Sequence, residues 1–157
     1  MTTYTITNPG DEPRTVNENE MLTWLIEAYQ DQVWIDRTAR EYFMRDAEDQ
    51  VRAYADNFIS PELTEEQINA VITATGAFVL DRCYDADAYY YADGNGEGIG
   101  YPFEEWQEEY RDDMAGREPG DDEYQTWEEW SSSLVAVVPN IPGTEGYDPA
   151  YREWRNA

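Results

Sequence analysis

Residues 64–79 read Thr-Glu-Glu-Gln-Ile-Asn-Ala-Val-Ile-Thr-Ala-Thr-Gly-Ala-Phe-Val, and the fold class turns on this stretch. Ile68, Val71, Ile72, Thr75, Phe78 and Val79 recur at steps of three and four, the period of one buried face of an α-helix. Ser60-Pro61 just ahead is a helix-start signal. Thr64 with Gln67 three residues later predicts a capping box, in which each side chain bonds the other residue's backbone N–H. Gly76 costs this helix about 1 kcal/mol relative to Ala, which predicts close packing against another segment. The helix is expected to run on to the cluster Tyr89-Tyr90-Tyr91.

Outward from this helix the same period continues. A helix is predicted from Glu18 to about Gln30, capped by Asn17, with Leu22, Leu25, Ile26 and Tyr29 as its stripe. A longer one is predicted from about Asp36 to Phe58, carrying Phe43, Ala47, Val51, Tyr54 and Phe58. Two more are expected over about 103–115 and 121–134. Residues 2–7 are β-prone and lead into an Asn8-Pro9-Gly10-Asp11 turn. Leu134–Val138 fits a helix end or a strand equally. Residues 139–157, with Pro139, Pro142, Gly143 and Gly146, are expected to be an irregular tail held by Tyr147, Tyr151 and Trp154. The reading is one compact acidic domain, 1–157, mainly α with about five helices. An α+β fold is the alternative if the N-terminal strand and 134–138 form sheet.

Charge dominates the composition. Thirty-five Asp and Glu stand against ten basic residues, all of them Arg, for a formal net charge of −25. Such self-repulsion destabilises a compact state, so it implies a use outside the fold. A chain without a basic stripe is not expected to bind nucleic acid directly or to sit on anionic membranes. The 15% aromatic content argues for a folded protein rather than an acidic disordered tail. The sole cysteine, Cys83, allows no intrachain disulfide and suggests a reducing compartment. With no leader-like N-terminus and no apolar run near 20 residues, a cytoplasmic location is expected.

Catalysis finds little footing. The absence of His removes His-based general bases, triads and His-ligated zinc. Cys83 reads as a buried core thiol rather than a nucleophile. No enzyme activity and no cofactor are expected. The one metal-like motif is a loop with Asp93, Asn95, Glu97, Gly98 and Glu104 at positions 1, 3, 5, 6 and 12 of a calcium-binding EF-hand. It departs at position 5, where Glu97 replaces the usual Asp or Asn, at Gly100 and at Pro102, and no second loop pairs with it, so a glycine-rich connector in an acidic protein is the favoured reading.

The acidity is concentrated. Residues 101–130 hold twelve carboxylates and two arginines. On the fourth predicted helix Phe103, Trp106, Tyr110 and Met114 form an apolar stripe. Glu104, Glu108 and Asp112 then make one acidic row and Glu105, Glu109 and Asp113 another, with about 6 Å between neighbours in a row. The fifth predicted helix turns Tyr124 and Trp127 inward and Asp121, Asp122, Glu128 and Glu129 outward. Trp130 falls off the stripe, as does Tyr89 or Tyr90, and such aromatics suit an interface. Arg111 and Arg117 are expected to relieve repulsion locally.

Fixed anions at this spacing are similar to the phosphates of one DNA strand, about 7 Å apart from the rise and winding of the backbone. In composition and pattern, without a shared motif, the chain resembles the phage and plasmid DNA-mimic inhibitors that block restriction enzymes or CRISPR effectors. That resemblance implies a basic nucleic-acid-binding host protein as partner (a CRISPR effector, a restriction enzyme or another nuclease). The sequence leaves the oligomeric state open, and a homodimer would double the length of the acidic track and suit a two-fold target. The alternatives are a non-mimic acidic accessory protein and a halophile protein whose charge is a salt adaptation.

Overall fold

The computed structural model describes residues 2–93, 100–151 and 153–157. The chain forms two compact units, Met1–Asp85 with Asn140–Glu153, and Ala86–Pro139 with Trp154–Ala157. Among the described residues there are five α-helices and two small antiparallel sheets, so the class is α+β.

In the first unit, α1 (Glu18–Ile35), α2 (Arg37–Phe58) and α3 (Glu65–Arg82) pack pairwise into a bundle. The sheet β2-β1-β3 joins β1 (Tyr4–Ile6), β2 (Arg14–Val16) and β3 (Ile59–Ser60). Each helix buries a four-step stripe: Met21, Leu25, Tyr29 and Val33 on α1, Phe43, Ala47, Val51 and Ala55 on α2, and Val71, Thr75 and Val79 on α3. Tyr4, Ile6, Val16 and Ile59 add the inner face of the sheet.

The caps are where the sequence places them. Asn17 Oδ1 accepts from the Glu20 N–H at 2.9 Å, and Thr64 Oγ1 accepts from the Gln67 N–H at 3.2 Å. Gln67 is itself buried, and its amide donates to the Tyr4 hydroxyl at 2.7 Å and to Glu18 at 3.2 Å. The Asn8–Asp11 turn forms, with Gly10 at φ 87°.

Several expectations need correction. α1 continues past Gln30 to Ile35, because Asp36 then ends it and caps α2 through the Thr38 N–H at 2.9 Å. Arg40 satisfies the freed carbonyls of Val33 and Trp34 at 3.1 and 3.3 Å. α2 is not continuous: Asp46 leaves helical geometry at φ −153°, ψ 57°. α3 stops at Arg82 instead of reaching the tyrosines, whose β-propensity places Tyr90–Ala92 in a strand, β4. The predicted fifth helix shrinks to α5 (Trp127–Ser131), and Val135–Pro139 is strand β6.

The C-terminal segment is ordered by contacts the sequence only hinted at. Residues 140–153 close a loop whose ends meet through the Asn140 N–H and the Glu153 carbonyl at 2.9 Å. Ile141 is buried in the bundle core, and Asn140 clamps the Asp148 backbone at 2.6 and 2.8 Å. Arg45 pairs with Glu153, whose carboxyl burial pushes its pKa up against the pull of that arginine. Tyr147 is half-buried, whereas Tyr151 is exposed.

The Pro142 carbonyl occupies the space a Cβ on Gly76 would need, and Gly143, at φ 81°, lies so close to α3 that a Cβ would meet the Ile72 carbonyl at 2.7 Å. The packing anticipated at Gly76 is thus backbone against backbone. Gly76→Ala is expected to destabilise by about 2 kcal/mol despite its helix propensity, read as a lower urea midpoint. A neutral or stabilising result contradicts the contact.

Candidate functional site

The second unit carries a disproportionate share of the charge. Its fifty-eight residues hold fifteen carboxylates and three arginines, for a net charge of −12. Its sheet has the order β5-β4-β6-β7, with β5 at Tyr101–Pro102 and β7 at Trp154–Asn156. Tyr90 in β4 pairs with Pro102 on one side and Val137 on the other. Gly100 gives its side-chain space to the Trp154 indole, which also packs on Tyr90 at 5.6 Å.

From β5 the chain enters α4 (Phe103–Asp113) directly. Neither α4 nor α5 contains a fully buried residue, so these helices are held by half-buried aromatic rings in mutual contact. Trp106 meets Tyr101 at 5.4 Å and Trp130 at 6.1 Å. Trp127 meets Phe103 at 5.4 Å, Tyr110 at 5.5 Å and Trp130 at 5.8 Å, the last pair stacked. Each such pair contributes about 0.5–1.5 kcal/mol beyond area burial. Their polar atoms are used as well. Trp106 donates to the Tyr91 carbonyl at 2.9 Å, and Tyr110 donates to the Gln125 carbonyl at 2.7 Å. Desolvation, and then the neighbouring Tyr124, raise the Tyr110 pKa.

Around this cluster lie the carboxylates. Glu104, Glu105, Glu108, Glu109, Asp112, Asp113, Asp121, Asp122, Glu128 and Glu129 are all solvent-exposed. α4 is about 16 Å long at 1.5 Å per residue. Its six carboxylates give one charge per roughly 3 Å, against one per about 1.7 Å of duplex axis.

The ten are not equivalent. Asp113 accepts from the Trp130 indole N–H at 3.0 Å. Asp121 accepts from the Glu118 N–H at 2.9 Å in the turn after Pro119-Gly120, and with Asp122 it precedes α5 instead of lying on it. Glu129 closes a capping box with Thr126 at 3.2 Å. That pair has the Thr-x-x-Glu spacing of a helix start, and it is the signal that would have placed α5 at 127. Trp130 is half-buried in the cluster, while Tyr89 is 76% exposed. Arg117 bonds the Glu123 carbonyl at 3.1 Å and its carboxylate at 3.4 Å, the local neutralisation anticipated for it.

Of the calcium-loop residues, Asn95 and Glu97 lie outside the described residues, as does Gly98. Asp93 follows strand β4, and Glu104 is exposed in the first turn of α4. A strand therefore stands where an EF-hand has its entering helix. Among the described residues no group of three or more His, Cys, Asp or Glu is placed to hold a metal ion. Likewise, no helix among them is long and apolar enough to cross a membrane. Cys83 is half-buried, and burial raises its pKa against the effect of Arg40, the opposite of an activated thiolate. Comparison with protein-family models, curated proteins and solved structures finds no match.

The aromatic cluster is thus what holds the acidic helices. Trp127→Ala is expected to cost about 2–3 kcal/mol and to raise amide exchange across 103–131 while the α1–α3 amides keep their protection. Unchanged exchange in α4 contradicts this role.

Proposed function

We propose that the chain is an acidic DNA-mimic inhibitor, which occludes the basic nucleic-acid-binding site of a host defence protein of the restriction or CRISPR type. The observation that carries this reading is the ten exposed carboxylates of 104–129, set on and beside short helices stiffened by interlocked aromatics. Rigid anions cost little ordering entropy when a partner's Arg and Lys close on them. Opposite charge speeds the encounter and makes it salt-sensitive. The mechanism is occupancy: the partner's groove is filled, and neither cofactor nor turnover is involved. Asp113, Asp121 and Glu129 hold the scaffold, so Glu104, Glu105, Glu108, Glu109, Asp112, Asp122 and Glu128 are the residues that present charge to the partner.

The test is a DNA-cleavage assay against a panel of restriction and CRISPR nucleases. The protein is expected to inhibit at least one of them, and excess duplex DNA should relieve the inhibition. Charge reversal of Glu104, Glu108 and Asp112 together (each to Lys) is expected to weaken inhibition by more than about 100-fold with an unchanged circular dichroism spectrum. Unchanged inhibition by that variant overturns the site. Inhibition indifferent to DNA favours the accessory-protein alternative, and loss of structure below molar salt favours the halophile one.

A further inference from the structure

A second surface, on the helical unit, has a different chemistry. β2 is an edge strand of its sheet. The Thr7 N–H bonds the Phe58 carbonyl at 2.8 Å, and Thr5 pairs with Ser60 two residues before it, so Thr5 directs its backbone groups toward β3. By the alternation of an antiparallel ladder, Tyr4 and Ile6 then direct theirs toward β2, where they meet Val16 and Arg14. The Thr15 N–H and C=O therefore point away from the sheet, at its open edge.

Beside that strand runs a groove of about 350 Å³, lined by Arg14, Asn19, Glu20, Thr23, Trp24 and Glu27. A second recess, lined by Thr2, Asn17, Glu18 and Asn19, shares Asn19 with it. Trp24 is half-buried, and Phe58 fixes its indole edge-to-face at 5.9 Å and 64°. Glu20 stands one turn before it and Glu27 one turn after, on the same helix face. The capping box holds Glu20 in place, with the Asn17 N–H bonding its carboxylate at 3.3 Å.

We infer that this groove binds an extended basic segment of a partner protein, which adds as a strand to the Thr15 edge and lays one Arg or Lys side chain on Trp24 between Glu20 and Glu27. Charge complementarity selects this occupant. A cation over an indole, flanked by carboxylates, gains from both. A second copy of the chain would instead bring another −25 charges. Strand addition supplies main-chain hydrogen bonds, and the groove supplies the selectivity. Arg14, the one basic lining residue, belongs to β2, and both acids belong to α1.

The probe is a fluorescent hexapeptide of alternating Thr and Arg, compared with the same peptide carrying citrulline for Arg. The background is full-length protein with Glu104→Gln, Glu108→Gln and Asp112→Asn. This reduces the pull of the acidic helices and keeps the outcome separate from the DNA-mimic reading. At about 0.15 M salt the Arg peptide is expected to bind about tenfold tighter than the citrulline peptide. Glu27→Gln is expected to remove most of that difference. Thr15→Pro, which deletes an N–H directed away from the sheet, is expected to weaken both peptides while leaving the melting temperature unchanged. Equal binding of the two peptides, or a preference for Arg that survives Glu27→Gln, overturns the inference.

Discussion

Thirty-five carboxylates must share one chain with ten arginines, and the rest of the structure answers to that excess. Arg40, Arg52 and Arg117 each serve more than one acceptor. Arg40 caps α1, Arg52 spans Glu48, Glu62 and the Leu63 carbonyl, and Arg45 ties the 140–153 loop to α2. The exposed pairs among these, Arg52 with Glu48 and Glu62, contribute at most about 1 kcal/mol each. The fold therefore rests on apolar contact, and most carboxylates remain in water, where their charge is cheapest to hold.

The two units meet the constraint differently. The bundle buries a conventional core of about twenty side chains, including Phe43, Leu25, Met21 and Ile68 at 0% or near it. Among the described residues of the second unit the only buried hydrophobic side chains are those of Ala92, Met114 and Val137, yet the unit carries more charge per residue. Large rings suit it, because each offers wide contact area with few rotamers to freeze, and the indole and phenol bond carbonyls and Asp113 without spending a cation. The acidic surface and its aromatic support are one device, since the same helices carry both.

Much of this was legible in the sequence where the period was 3.6 and a cap marked the start. Leu25 and Tyr29 on α1, Phe43, Ala47 and Val51 on α2, Ile68, Val71, Thr75 and Val79 on α3, the Thr64–Gln67 box and the close contact at Gly76 all follow from residue spacing. Met21 and Val33 complete the α1 stripe in place of the half-buried Leu22 and Ile26. What escaped was decided by partners distant in sequence. Tyr90 and Tyr91 become strand because Val137, Tyr101 and Pro102 are there to pair with them. Ile141 and Pro142 leave the expected irregular tail because α3 offers Gly76. At the site, the exposure of all ten carboxylates was legible. The duties of Asp113, Asp121 and Glu129 were not, because they depend on Trp130, a turn at Gly120 and the cap at Thr126. The groove at Trp24 had no sequence signal, since it needs β2 beside α1.

In the proposed function the acidic surface takes the place of nucleic acid. Its most direct measurement is capture on the immobilised protein from nuclease-treated host lysate at about 0.1 M salt, followed by elution with duplex DNA. The expected result is retention of a nuclease or other DNA-binding protein that DNA releases in proportion to its concentration. Retention of a partner that DNA leaves in place, or of none at all, would contradict the claim.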